Sequence, residues 1–336
     1  MRAVLESGML VQGAKVAALE ARLAERCGRR HAVAVGSGTA ALELALEALE
    51  VDGGEVTCPT LTWPSPAHAI LRRRATPVLY DVDLGSFNGT AAGAAAARGA
   101  ETVAEIAIDQ FGLPAPQDDR PADAPPLIVD AACSIGATVD GRPAASRGVI
   151  ACLSFHPRKL LTTGEGGACL TDDDALADRL RMLRNHGQRD GAFDEPAGNH
   201  RMTEMAAALG IVQLDRLDAI VSRRRAIASR YREALADREV QRPIRDGVVG
   251  NDQTFGVLVD DRDAAVAALR ADGVEAGRLS FAIHRVGSVA GRFRAASESF
   301  PNAERIEAHG VALPLHPLMT DEDAEAVIAA FRRRVG

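Results

Sequence analysis

Residues 12–26 (QGAKVAALEARLAER) place Val16, Leu19 and Leu23 at three- and four-residue intervals, the spacing of one helix face, and Gly28 supplies a stop. HAVAV (31–35) is apolar throughout and of strand length, GSG (36–38) reads as a tight turn, and TAALELALEAL (39–49) reads as a helix. The alternation continues. A short strand near 55–58 runs into Pro59, and a helix is expected over 67–74. PVLYDV (77–82), TVAEIAI (102–108) and PLIVD (126–130) are apolar runs of strand length that each end in turn residues. Strands that are apolar on both faces and alternate with helices predict an α/β fold with a parallel sheet buried on both sides.

IACLSF (150–155) and GGACLT (166–171) flank a polar loop and predict a further strand pair. Met205, Leu209, Val212, Leu217 and Ile220 give residues 203–235 the pattern of one long amphipathic helix. The chain then becomes loop-rich around Pro243, Gly247 and Gly250, before helix-like stretches at 260–273 and 321–335. This pattern divides it into a large domain over 1–235 and a smaller α+β domain over 236–336. Roughly the first ten residues are expected to pack with the small domain. The Ala-rich stretch 91–97 reads as a helix.

Composition narrows the function classes. With 47% hydrophobic and 25% charged residues, a chain of 336 has globular usage and length enough for two domains. A net charge of −7, with acids and arginines interleaved, argues against a nucleic-acid or membrane-surface binder but leaves room for a small anionic substrate. No apolar run approaches the ~18–20 residues of a membrane span. The opening MRAVLESGMLVQGAKV is interrupted by Glu6 and Gly8 and does not read as a signal peptide. Five cysteines (27, 58, 133, 152 and 169) without C-x-x-C spacing argue against a disulfide framework or a metal site and for reduced thiols in a cytoplasm.

Four features carry chemistry. In SFHPRKLLTTGEGGACLT (154–171), Lys159 follows an apolar strand and precedes a Gly-Glu-Gly-Gly turn, whose glycines permit close backbone approach. Alone, a plain hairpin explains that segment equally well. VAVGSGTAAL (33–42) joins a strand to a helix N-terminus through a Gly-rich turn, an anion site built from free N–H groups, with hydroxyls from Ser37 and Thr39. Asp130 ends PLIVD at the carboxyl edge, where open α/β sheets bind ligands. It either caps the next helix or pairs with a cation, and with no second carboxylate or His beside it a protonated pyridine nitrogen fits better than a metal. Trp63, the sole tryptophan, lies in the Pro-rich loop CPTLTWPSPA and either anchors it or stacks on a planar ring. Together these supply an amine, a phosphate cradle, a carboxylate and a stacking ring, the set that pyridoxal 5'-phosphate (PLP) requires.

The sequence resembles the DegT/DnrJ/StrS sugar aminotransferases, fold type I PLP-dependent enzymes, nearly end to end. The resemblance rests on LESGMLVQGAKVAALEARLA, HAVAVGSGTAAL, PTLTW, PVLYDVD, VDAACSIGA, SFHPRKLLTTGEGGA, RMLRNHGQ, GNHRMTEMAAALGIVQLDRLD and LPLHPLMTDED. It implies a mainly parallel central sheet flanked by helices, with a smaller C-terminal α+β domain. It implies Lys159 as the Schiff-base lysine, Asp130 as the carboxylate on the pyridine nitrogen and Trp63 as the stacking ring. Gly38, Thr39 and Ser154 match phosphate contacts, with Ser37 beside them. Asn199 matches an asparagine donated to the partner's phosphate, so a homodimer with shared sites is implied. His156 matches a position on the substrate side or behind the cofactor, and Arg158, Arg201, His284 and Arg285 are candidate substrate contacts.

The departures from the family pattern are also specific. Cys133 stands where relatives have Gln or His against the ring oxygen, Leu160 replaces a common Asn, and Asp109 stands where His is frequent. The chain is shortened around 188–198 and 279–300, which bears on the substrate. The implied activity is ping-pong transamination from glutamate to a keto group of a nucleotide-linked sugar. A cyclitol-type or other small ketone is the alternative acceptor, and a non-catalytic PLP-bound regulator is the alternative class. Relatives that dehydrate sugars carry His in place of the lysine, which Lys159 disfavours. The arginine runs 72–74, 223–225 and 332–334 are expected to be solvated helix faces.

Overall fold

The computed structural model describes residues 1–115, 117 and 119–336. The chain runs α1 (Arg2–Ser7), α2 (Ala14–Arg26), β1 (His31–Val35), α3 (Gly38–Ala48), β2 (Glu55–Pro59), α4 (Ser65–Arg72), β3 (Thr76–Tyr80), α5 (Ala91–Ala97), β4 (Thr102–Ile108) and β5 (Leu127–Asp130). A short ribbon, β6 (Thr138–Val139) and β7 (Arg142–Pro143), precedes β8 (Ile150–Ser154) and β9 (Gly167–Thr171). Then come α6 (Asp174–Arg184), the hairpin β10 (Gln188–Arg189) and β11 (Ala192–Phe193), α7 (Glu204–Asp215) and α8 (Leu217–Ala234). The remainder is β12 (Val248–Val249), β13 (Phe255–Leu258), α9 (Arg262–Ala271), β14 (Gly277–Arg278), β15 (Arg294–Ala295), α10 (Pro301–His309), β16 (Gly310–Leu313) and α11 (Asp321–Arg334).

The main sheet has the order β1-β9-β8-β5-β4-β2-β3-β15. Every pairing from β8 to β15 is parallel, and only β9 runs against its neighbours. The mainly parallel α/β sheet read from the apolar runs is therefore present. Alternate residues of one strand serve two cores, because successive side chains point to opposite faces. Val33 and Val35 join a core with Leu42 and Leu46 of α3, while Ala32 and Ala34 join a core with Leu19 and Leu23 of α2. The small sheet, β13-β16-β14, is antiparallel and packs with α9 and α11.

The expected long helix over 203–235 is two helices. The chain turns at Arg216, whose N–H donates to the carbonyls of Gln213 and Leu214. Beyond the break, α7 packs on α2 while α8 reaches the core of the small sheet through Ile227, Ala228 and Tyr231. The run 223–225 is not a solvated face either. Arg224 is buried, with Nε donating to the Asp252 carbonyl at 3.0 Å, and Arg225 Nε donates to the Gly250 carbonyl at 2.8 Å. Arg223 holds the Met319 carbonyl and Asp321. Periodicity marks a helix face but does not reveal which main-chain carbonyls will meet it.

Later segments return to the large core. Leu279, Ile283, Val289, Phe300 and Ile306 pack there, and β15 extends the main sheet beside β3. At the other end, α1 rests on α7, and the Glu204 N–H donates to the Leu10 carbonyl.

The N-terminus of α2 has Gly13 as its cap residue and no side chain of its own to satisfy it. Glu204, from the GNHRMTE block, supplies what is missing. Its buried carboxylate accepts from the N–H groups of Gly13, Lys15 and Val16 at 2.9, 2.8 and 2.8 Å. A carboxylate there satisfies orphan donors and meets the positive end of the helix dipole. Replacing Glu204 with Ala should cost about 3 kcal/mol, read as a lowered midpoint in thermal or urea unfolding. A midpoint unchanged from wild type would contradict this account of the block.

Candidate active site

Sheet order decides which residues meet. β5 and β8 are parallel neighbours with Asp130 paired in register to Cys152, so their carboxyl ends bring Asp130 and Ser154 to the same edge of the sheet. β1 delivers the Ser37–Gly38 turn to the same edge, β4 delivers Asp109, and β2 leads into the Trp63 loop. These ends open on a cavity of about 1540 Å³, closed from the other side by Arg278, Phe281, Leu313 and His316.

Lys159 lines this cavity, and its Nζ donates to Cys133 Sγ at 3.0 Å. Burial opposes its charge, but Cys133 and Asp130 outweigh that, so the ammonium is held above its ordinary range. The chain has one other lysine, Lys15, exposed at the start of α2. Asp130 is buried, and burial pushes its carboxyl from 3.8 up to about 6. The charge of Lys159 and an N–H from Ala132 at 3.1 Å partly oppose that shift.

The anion cradle is formed at the N-terminus of α3. Ser37 Oγ caps the helix by accepting from Ala40 N at 3.1 Å, and Ala41 N donates to the Ser37 carbonyl. Gly38 and Thr39 are thus the first-turn positions whose N–H groups have no partner within the helix. A Cβ on Gly38 would sit 2.6 Å from Ser154 Cβ, so only glycine lets the α3 turn approach Ser154 this closely. Thr39 Oγ1 meets Ser65 Oγ at 3.0 Å.

Trp63 is more than half exposed at the cavity rim. The Arg158 guanidinium lies over its ring at 5.4 Å, Phe281 meets it edge-on at 5.6 Å, and Arg278 lies over Phe281 at 5.2 Å. This ladder of two cations and two rings was not legible in the sequence, because its halves are more than a hundred residues apart. His156 also lines the cavity, with Nδ1 accepting from Arg158 N at 3.2 Å.

Asp109 is fully buried and fully engaged. It accepts from Arg147 at 2.8 and 2.6 Å, from Ser134 Oγ at 2.6 Å and from Ala115 N at 2.9 Å. It acts as the partner of Arg147 rather than as a free acid.

Four candidates lie off this cavity. Asn199 is exposed and pairs with Asn185 in a bridge, and Arg201 donates to Asn185 Oδ1 at 2.5 Å. His284 sits between Thr60 Oγ1 at 2.9 Å and Glu304 at 3.2 Å, while Arg285 pairs with Glu304 at 2.6 Å. Sequence reasoning missed Arg216, Arg270, Arg278 and His316, which do line the cavity. No spacing marks them, since they come from separate segments.

The family model for DegT/DnrJ/EryC1/StrS aminotransferases matches residues 1–332. The chain belongs to this aminotransferase family. An aminotransferase of the same family from Brucella abortus is 30% identical, with a TM-score of 0.95 over 100% of this chain and 94% of that one. DesV from S. venezuelae, solved with a ketimine intermediate, is 30% identical with a TM-score of 0.91 over 99% and 92%. The PLP-form of Spr1654, a putative sugar aminotransferase from Streptococcus pneumoniae, is 25% identical with a TM-score of 0.89 over 99% and 94%. Aminotransferases of the DegT/DnrJ/EryC1/StrS family depend on PLP, and the residues here fit that group. Lys159 offers an amine in the cavity, Asp130 a buried carboxyl, and Gly38, Thr39 and Ser154 a cavity-lining turn whose close approach a Cβ on Gly38 would block.

Asp130 gives this aminotransferase a pH signature. Its folded carboxyl binds a proton more tightly than an unfolded aspartate, so cofactor-free protein loses stability as pH rises from about 4 to about 6, and the loss persists above. Asp130→Asn removes that loss. Relative to wild type it should be neutral below the window and more stable by about 3 kcal/mol above it, by urea unfolding. Equal stabilities on both sides of the window would contradict the burial argument.

Proposed function

We propose that this aminotransferase moves an amino group from an amino acid, with glutamate as the expected donor, to a keto group of a nucleotide-linked sugar. It uses PLP held on Lys159, in a homodimer whose sites are shared. The observation that carries this reading is the convergence of Lys159, Asp130 and the α3 cradle on one cavity edge. The exposed Asn199, placed away from its own cavity, supports a role at the partner's site. Five free cysteines, including Cys152 and Cys169 facing each other across β8 and β9, support a reducing cytoplasmic setting.

When bound, PLP supplies an electron sink for the donor's α-carbon. Lys159 would hold the cofactor through its Nζ, and the same amine, once free, would act as the base that takes the donor's α-carbon proton and the acid that returns it to the product side. Asp130 would meet the pyridine nitrogen, and its carboxylate would favour the protonated ring. Gly38 and Thr39 N–H groups with Ser154 Oγ hold the phosphate. On the acceptor side, Arg158, Arg216, Arg270 and Arg278 line the cavity and suit an anionic substituent such as a diphosphate.

The test is an absorption spectrum of the protein with PLP, before and after glutamate, for wild type and Lys159→Ala. Wild type should show the visible band of lysine-bound cofactor and lose it on adding glutamate. The variant should lack the band and transfer slower by about 10²–10⁴-fold. A keto-sugar nucleotide should restore the band in wild type. A band that no amino donor moves would favour the regulator instead.

A further inference from the structure

Residues 250–254 (GNDQT) follow β12 and carry no catalytic motif, yet they bond to the three loops that bear the site. Asn251 is fully buried. Its Nδ2 donates to the carbonyls of Cys133 and Ile135 at 2.8 Å each, and its Oδ1 accepts from Gln253 N at 2.9 Å. Both donor hydrogens are therefore used, on the two carbonyls that define the turn after Asp130. The Asn251 N–H donates to the Gly112 carbonyl at 3.0 Å, and Thr254 N donates to that of Phe111 at 3.2 Å. Gly112 has φ +89°, and a Cβ there would collide with Asn251 Oδ1, so the loop after Asp109 admits the amide only because it carries glycine. Gln253 Nε2 donates to the Arg158 carbonyl at 3.0 Å, one residue before Lys159. Arg224 and Arg225 fix the segment from α8 through the carbonyls of Asp252 and Gly250.

We infer that Asn251 is a positioning residue for this site, with Gln253 as its companion. Asn251 sets the turn that aims Cys133 Sγ at Lys159 Nζ, and Gln253 sets the loop that carries Lys159. Asn251 does not line the cavity, and Gln253, which does, donates its amide N–H to the Arg158 carbonyl. The inference rests on the proposed function only in taking Lys159 as the residue that holds the cofactor.

The variants are Asn251→Asp, which keeps the shape but turns both donors into acceptors facing carbonyls, and Gln253→Met, which removes one donor. Two readouts separate positioning from mere stability. One is the labelling rate of Cys133 by a small thiol reagent in cofactor-free protein, resolved by peptide mass, since Cys133 is partly exposed and the other four cysteines are buried. The other is the position and pH midpoint of the lysine-bound cofactor band. In folded Asn251→Asp, Cys133 labelling should rise roughly tenfold, about the worth of one lost hydrogen bond, and the band should shift. Gln253→Met should shift the band and leave labelling unchanged. Wild-type labelling and band in folded Asn251→Asp would overturn the inference. If that variant does not fold, an unmoved band in Gln253→Met overturns it. Wild type that forms no lysine-bound band refutes the functional reading instead, and the labelling rates still decide the role of Asn251.

Discussion

Lys159 and Asp130 place opposite charges in one cavity that strips both of water, and the rest of the site is arranged around that pair. The balance differs between them: Cys133 and Asp130 hold the ammonium above its ordinary range, whereas burial lifts the carboxyl to about 6 even with the lysine nearby. A third charge, Asp109, pushes it the same way. Arg147 and Ser134 engage that carboxylate with short bonds, which contains its field within an ion pair. What remains is a cavity edge on which one amine and one carboxyl are left to meet a cofactor. Their adjacency follows from the topology, because β5 and β8 are neighbours and end at the same edge.

Much of this was legible in the sequence because it rests on short-range rules. Apolar runs of four to seven residues became the central strands, since a sheet covered on both faces needs no alternation. The GSG turn and the Lys-GEGG block fell at strand ends, where their chemistry has to be. The remainder depends on contacts that spacing does not encode. The break at Arg216 precedes a helix that starts in the core of α7, through Leu217, Ile220 and Val221, and ends in another, through Ile227, Ala228 and Tyr231. The arginines of α8 look like a solvated face until the carbonyls they meet are known. Asn251 and Gln253 lie in a loop with no pattern at all. Trp63 was expected as a ring partner, and the structure adds that Arg158 already lies over its ring.

The two parts of the chain are joined through the site rather than merely beside it. α8 contributes to the core around the small sheet and also fixes the segment that holds the Cys133 turn. The ladder from Arg158 and Trp63 to Phe281 and Arg278 closes the cavity rim from both sides. The two cores and the site geometry are thus linked by shared hydrogen bonds and ring contacts.

The central claim is that Lys159 holds the cofactor, and the composition makes it testable with little ambiguity, because the chain has only two lysines. PLP-loaded protein would be reduced with borohydride, digested, and mapped by mass. The account predicts one pyridoxyl adduct per chain, on the peptide that contains Lys159. An adduct confined to Lys15, or none at all in protein that retains PLP, would contradict it.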